Sequence, residues 1–396
     1  MTSPLDGIRV LDFTHALAGP YCTMLLANYG AEIYKLESPH GGDIGRLWGP
    51  PFTGNVASFF LGHNAGKQGI SIDLKTPEGF DLVLRLIDHM DVLIENFRPG
   101  TMDRLGLGYA VVHTRAPKVV YCSISGYGAN GPDRDEPAMD LIVQAASGLM
   151  SITGTEDGRN VRCGHSVADT TAGTFALIGI LLALRARDAT GLGQFVDVSM
   201  LDSLVSTMAS SYANFCGSGK VLKPMGTAFG TIVPYRTFRA SDREIALAVG
   251  SEKLWISFCH AIGHTELAAN PDYATNALRV KNRGPLEQLL SDLFFTATAA
   301  EWERRLSAEG VPCSAVKMMD EVFASPQLKV REMFPLAGSF PVTGPPIKFS
   351  ETPGSVRAPA PGLGEHTRQA LETLLGLTAH DLDGLAARGV ISGCAT

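Results

Sequence analysis

The chain has 396 residues, 45% of them apolar and 18% charged, and a formal net charge of −7. That length fits about two domains, or one core with a second inserted. The acidic balance excludes nucleic acid and an anionic membrane as natural partners, since both call for clustered Lys and Arg. Seven cysteines, at 22, 122, 163, 216, 259, 313 and 394, are scattered without a C-x-x-C pair. They read as reduced thiols of a cytoplasmic protein. The opening Met1-Thr2-Ser3-Pro4-Leu5-Asp6-Gly7 has neither a basic nor an apolar leader segment, so secretion is not indicated.

In chain order, Ile8-Arg9-Val10-Leu11-Asp12-Phe13 reads as a short strand, followed by a turn over 14–20. Residues 21–29 have helical spacing and end at Gly30, a C-cap position. A strand over 31–37 and a loop over 38–43 come next, and Thr76-Pro77-Glu78 opens a helix with Pro just inside its start. Strands at 91–95 and 119–124 flank a helix near 101–105. Strands recurring between helices imply parallel βαβ units, an α/β fold with a doubly wound Rossmann-like sheet. Ligands bind such sheets at the carboxyl ends of the strands. The candidate loops there are 14–19, 38–46, 96–100 and 125–128.

The apolar run 172–184 is too short for a bilayer span and suits a buried helix. A strand at 194–199 and a helix from about 201 follow, and composition changes near Gly217-Ser218-Gly219-Lys220. The chain therefore divides into a large domain over 1–217, a small α/β domain over 225–320, and a segment 321–396 that returns to the large domain. The last segment is rich in Pro and Gly over 341–364 before a helix at 367–375, and forms no core alone.

Asp169 stands just before the apolar run, within Gly164-His165-Ser166-Val167-Ala168-Asp169-Thr170-Thr171-Ala172-Gly173. At a helix start its carboxylate faces unsatisfied N–H groups and the positive end of the dipole, which favours the ionised form. Small neighbours leave room for a large ligand, although Asp also serves widely as a plain cap. Other chemistry is poorly represented. Gly217-Ser218-Gly219-Lys220 lacks the spacing of a phosphate loop, no G-x-G-x-x-G follows the first strand, and no G-x-S-x-G occurs. His260 and His264 lie four apart without the Glu of a metallopeptidase helix, and no zinc spacing is present, so no metal is expected.

Several motifs now carry a resemblance. Leu11-Asp12-Phe13-Thr14-His15, Ala18-Gly19-Pro20, Gly30-Ala31-Glu32-Ile33-Tyr34-Lys35-Leu36-Glu37, Gly42-Asp43, Glu95-Asn96-Phe97 and Gly362-Leu363-Gly364-Glu365-His366-Thr367 resemble class III CoA-transferases, of the CaiB/BaiF type. The likeness runs from about residue 5 to 390. Trp48-Gly49-Pro50-Pro51-Phe52, 226–235 and 273–283 are similar to the dicarboxylate branch, of the succinyl-CoA:glutarate and itaconate type. The resemblance implies an interlocked, ring-like homodimer, acyl-CoA and a small carboxylic acid as substrates, and no tightly bound cofactor.

By the same resemblance Asp169 is the nucleophile, forming aspartyl anhydride and aspartyl-CoA thioester intermediates. Lys75, Arg98 and Arg104 match phosphate contacts, and Leu17, Ala18, Ile72, Leu74, Asn96 and Phe97 line the adenosine and pantetheine path. Each cation alone also fits a solvated surface. Ser38 stands where the family often has Arg, so that contact is lost or moved to Arg46 or Lys67. Asp140 matches an acidic position near the nucleophile, orienting CoA or the acceptor or making a structural hydrogen bond. His15 belongs to the motif and suits a buried, satisfied histidine. The run containing Gly226 and Gly230 offers backbone donors, and Arg46 and Arg236 are candidate cations for a distal carboxylate, or else structural. Two alternatives share the fold: an acyl-CoA racemase, whose base would stand at Met139, and a CoA-binding subunit of a heteromeric transferase.

Overall fold

The computed structural model describes residues 3–392, so Cys394 and the first two residues lie outside the described part. The chain divides into two compact units. The first comprises Met1–Leu149, Cys163–Gly219 and Pro326–Thr396, and the second Met150–Arg162 and Lys220–Ser325. The stretch Met150–Arg162, read from sequence as part of the large domain, thus belongs to the second unit.

The first unit is built on six strands: β1 (Arg9–Asp12), β2 (Glu32–Glu37), β3 (Gln68–Ser71), β4 (Val92–Glu95), β5 (Val120–Ser125) and β6 (Phe195–Ser199). All pair in parallel, in the order β3-β2-β1-β4-β5-β6. The chain order reverses direction between β1 and β4, and a doubly wound sheet opens its ligand crevice at such a switch, beyond the carboxyl ends. Alternate side chains feed two cores. Val10, Ile33, Val92, Ile94, Val120 and Cys122 face one side, and Leu11, Phe13, Tyr34, Leu36, Ile70 and Leu93 the other.

The first face is covered by α1 (Ala18–Asn28) and by a 24-residue helix, α5 (Val167–Thr190). The second is covered by α3 (Pro77–Ile87), where Thr76 caps the start and Pro77 opens the first turn, and by the helix Thr367–Leu375. Between α1 and α3 lies the short α2 (Ser58–Asn64), and α4 (Asp140–Ala146) precedes α5. The helix α5 extends well beyond the apolar run seen in sequence and is long and apolar enough to cross a bilayer on those criteria alone. Its Ala168, Ala172, Ala176, Ile180 and Ala183 are buried in the first core. Helices α6 (Met200–Thr207) and α7 (Ala209–Ser218) close this part of the unit.

Strand β3 has no clear sequence signal. Four residues, Gln68-Gly69-Ile70-Ser71, are too few to show alternation, and β2 on one side supplies the pairing. Beyond it the C-terminal segment is tied on by hydrogen bonds from Gly69 N–H to His366 Nδ1 and from Ser71 N–H to Thr367 Oγ1. The second unit carries an antiparallel sheet of β7 (Tyr235–Arg239), β8 (Glu244–Ala248) and β9 (Cys313–Ala315), with Trp255, Phe258, Phe294 and Trp302 in its own core.

Candidate active site

Asp169 is the third residue of α5 and is half-buried. Its direction is set by the contact between α5 and α1. A Cβ on Gly173 would stand 2.5 Å from the Ala18 carbonyl oxygen, so only glycine allows the two helices this approach. Asp169 lies one turn earlier on the same face as Gly173, which places it beside the start of α1. The expected residue Ala18 therefore lies where α5 and α1 touch, one helical turn from the Asp169 position.

The electrostatics differ from the expectation of an acid held ionised by a helix N-terminus. Burial first, and the like charge of Asp140 second, push the Asp169 carboxyl up to about 7. Hydrogen bonds hold Asp140 in that place. Asp140 Oδ1 takes the Ala168 N–H of the first turn (2.9 Å), a donor that a cap would otherwise accept. Asp140 Oδ2 accepts from Gln144 Nε2 (2.7 Å), and the buried Gln144 in turn accepts the Cys163 N–H (2.9 Å). Asp140 thus makes structural hydrogen bonds at the entry to α5, and its charge poises the neighbouring carboxyl near neutrality. Met139 is exposed and has no proton to transfer, leaving no base for a racemase at that position.

The loops at the carboxyl ends of β1 and β4 meet across the switch point. Asn96 Oδ1 accepts the His15 N–H (2.8 Å), and Asn96 Nδ2 donates to the His15 carbonyl (2.9 Å). The side chain expected to line the adenosine path is therefore engaged in joining two loops. Phe97 lies against the His15 ring, with centroids 5.5 Å apart, and its N–H donates to Glu95 (2.8 Å). Burial pushes the Glu95 carboxyl up to about 7. Leu17, Ala18 and Ile72 are buried and Leu74 is half-buried.

Lys75, Arg98 and Arg104 are exposed, beyond the carboxyl ends of β3 and β4. Arg104 Nη2 donates to Thr101 Oγ1 (2.9 Å). Their exposure suits a polyanionic ligand. Arg46 differs sharply. It is 6% exposed, makes a bidentate pair with Glu37 (2.7 and 2.7 Å), and stacks on Phe60 at 3.8 Å. Lys67 is buried against Asp12 (3.2 Å), the Pro20 carbonyl and Asn64. Both cations are internal, so neither stands ready for a phosphate or a distal carboxylate. Arg236 in the second unit lies between Glu156 and Glu287. Gly226, in a left-handed turn at φ +59°, and Gly230 belong to the loop before it, whose Phe229 and Gly230 carbonyls accept from Arg283 Nη2.

Beneath the β1–α1 loop lies a buried charge network that sequence reading passes over. Asp12 accepts from Thr14, Thr23 and Lys67, while Lys35 Nζ donates to the Thr14 carbonyl (2.7 Å) and pairs with Asp43 (2.9 Å). Burial opposes the charge on Asp12, but Lys67 and Lys35 outweigh it and hold the carboxyl at about 2. Asp12, Thr14, Lys35 and Asp43 all stand in motifs quoted from the sequence, but nothing there shows that they pair with one another.

Comparison with known proteins gives the family. The pattern of CoA-transferase family III matches residues 5–367. Human succinyl-CoA:glutarate CoA-transferase is 37% identical over 393 residues, covering 98% of this chain and 90% of that protein. A succinate–glutarate CoA-transferase of Agrobacterium fabrum is 36% identical over 94% of this chain and 96% of its own length. The crystal structure of a CaiB/BaiF family protein from Brucella suis superposes with a TM-score of 0.87 at 35% identity, covering 94% of this chain and all of that one. A family match over residues 5–367, with relatives 36% and 37% identical over nearly the whole chain, establishes that the protein belongs to CoA-transferase family III.

Proposed function

We propose that this CoA-transferase moves CoA from succinyl-CoA to a small dicarboxylic acid in the cytoplasm, with Asp169 as nucleophile. The observation that carries this reading is the poised carboxyl of Asp169, half-buried beside the start of α1. The Asp169 carboxylate attacks the thioester carbonyl and expels CoA thiolate, forming a mixed anhydride. The thiolate then attacks the aspartyl carbonyl, releasing the donor acid and leaving an aspartyl-CoA thioester. The acceptor carboxylate and the same thiolate repeat these steps in reverse and regenerate Asp169. No net proton is exchanged, and covalent catalysis divides one difficult transfer into easier steps.

Lys75, Arg98 and Arg104 would neutralise the CoA phosphates, while Leu17, Ala18, Ile72, Leu74 and Phe97 shape the path of the nucleotide and pantetheine. The dicarboxylate assignment follows the names of the human and Agrobacterium relatives. An interlocked homodimer is part of the proposal, and exposed apolar side chains support it. Leu141 and Ile142 on α4, Ile178, Leu181 and Leu182 on α5, and Tyr212 and Phe215 on α7 are all solvent-exposed in a single copy, apolar surface that a second copy would cover. The test is mass spectrometry of CoA esters after incubation with succinyl-CoA and glutarate, itaconate, malate, mesaconate, citramalate or oxalate. A new ester that disappears in Asp169→Ala supports the assignment, and succinyl-CoA left unchanged with every acid rejects it.

A further inference from the structure

Ala16 adopts φ +63°, a left-handed conformation that disfavours any residue with a Cβ. Such strain persists where the surroundings over-determine it, and here they do. The Thr14 carbonyl accepts from Lys35, both polar groups of the His15 backbone are bound to Asn96, and the Ala16 N–H donates to Asp43 Oδ1 (3.0 Å). The same Asp43 oxygen accepts the Gly45 N–H (2.8 Å), and its other oxygen pairs with Lys35. Asp43 is itself held in place, its N–H donating to Glu37 (2.9 Å), which Arg46 grips with two bonds. Helix α1 begins two residues after Ala16, so the direction of its first turn follows from this strained residue.

We propose that Asp43 is a positioning residue for acyl-CoA binding: through the Ala16 N–H it locks the β1–α1 loop in the left-handed form that aims the start of α1 at the ligand. Asp43 is fully buried and reaches no ligand itself. The inference rests on the proposed use of Leu17 and Ala18 as CoA contacts, and it gives the internal pairing of Arg46 with Glu37 a purpose. In Asp43→Asn one carboxylate oxygen becomes an NH₂ group among the donors Lys35, Ala16 and Gly45. The loop then relaxes toward ordinary φ values, and the penalty that had been overcome is lost as binding.

The test combines steady-state kinetics with calorimetric titration of CoA, on the full-length protein. In Asp43→Asn the KM for succinyl-CoA and the Kd for CoA are expected to rise about tenfold, the worth of one left-handed residue, with kcat and the acceptor KM held within about twofold. Adding Ala16→Gly, which adopts positive φ freely, is expected to return both constants to within about threefold of the parent. A role confined to folding would lower Tm without moving Kd, and glycine would not restore binding. Unchanged Kd in soluble Asp43→Asn, or a Kd that stays high in the double variant, overturns the proposal. Should Asp43→Asn fail to fold, Asp43→Glu, which keeps the charge and moves the carboxylate by one methylene, is read in the same way. Wild-type protein that binds CoA but exchanges none would sink the proposed reaction while leaving the Kd comparison decisive, and failure to bind CoA at all would sink both.

Discussion

Replacing Asp140 by Asn tests the electrostatics of the site most directly. Asp169 has its pKa raised to about 7, so its reactive, ionised form is lost as pH falls through that value. Activity should therefore show an acidic limb near pH 7, falling about tenfold per unit below it. Burial is the larger cause and Asp140 the second, so Asp140→Asn removes only the smaller contribution. For half-buried neighbouring carboxyls that contribution is about one pH unit, or about 1.4 kcal/mol. The limb should move to about pH 6, still above an ordinary aspartate, and the ionised fraction at pH 6 should rise about fivefold by simple titration. At pH 8 both proteins are ionised, and the variant should be no faster. The exchange leaves one mismatch: if the new amide keeps its oxygen on the Ala168 N–H, its NH₂ faces Gln144 Nε2. A stability loss of about 1 kcal/mol follows, measurable separately by denaturant titration. The assay is kcat/KM for succinyl-CoA from pH 5 to 9. A limb that stays at pH 7 or moves upward would refute the coupling of the two carboxylates.

Three further outcomes are expected. Arg46→Ala would leave Glu37 buried without its partner, costing about 3–5 kcal/mol, seen as a large drop in the urea midpoint; a stable variant that lost only affinity for the acceptor acid would instead mark Arg46 as a substrate contact. Gly173→Ala forces α1 and α5 apart, since its Cβ would stand 2.5 Å from the Ala18 oxygen; about 1–3 kcal/mol of destabilisation is expected, together with weaker CoA binding by calorimetry. Asp169→Asn should be inactive yet more stable than the parent at pH 8. The folded carboxyl has a pKa raised from 3.8 to about 7, so stability is greatest below the unfolded value and declines as pH rises between the two. Full linkage gives about 4 kcal/mol, and partial exposure reduces it to about 2 kcal/mol. Equal Tm values at pH 8, measured by calorimetry alongside a pH 4 control, would contradict a raised pKa.

The alternating pattern of strands and helices was legible because each buried strand is a short apolar run bounded by turn residues. The Thr76-Pro77 start and the helix Thr367–Leu375 were legible for equally local reasons, a cap with Pro and an amphipathic face. Strand β3 was not, because four residues containing glycine have too little pattern, and pairing with β2 makes them a strand. The attachment of Met150–Arg162 to the second unit was hidden similarly: Glu156 meets Arg236 across 80 residues of sequence. Asp169 and Ala18 could be named as candidates, but Lys35, Lys67 and Arg46 look like surface charges until folding buries them against Asp12, Asp43 and Glu37. Local sequence shows a charge; its partner is a product of topology.

The raised pKa of Asp169 would also bear on both halves of the proposed exchange. Attack of an ordinary carboxylate on a thioester is unfavourable, because the expelled thiolate, with a pKa near 8.5 for an ordinary thiol, is much the stronger base. Raising the carboxyl to about 7 brings nucleophile and leaving group close together. In the anhydride the substrate acid, with a carboxyl pKa near 4.3 typical of its class, is then the better leaving group of the two. In the first half this favours thiolate attack at the aspartyl carbonyl and release of the donor acid; in the second half, where Asp169 is expelled to form the product thioester, the same basicity opposes the step. Asp140 consequently has opposite effects on the two halves of the exchange. Its charge sacrifices ionised nucleophile below pH 7, and it keeps the nucleophile basic above that pH. The Asp140→Asn variant should accordingly gain at pH 6 through its larger ionised fraction, while its plateau at pH 8 changes little because the two halves respond in opposite senses.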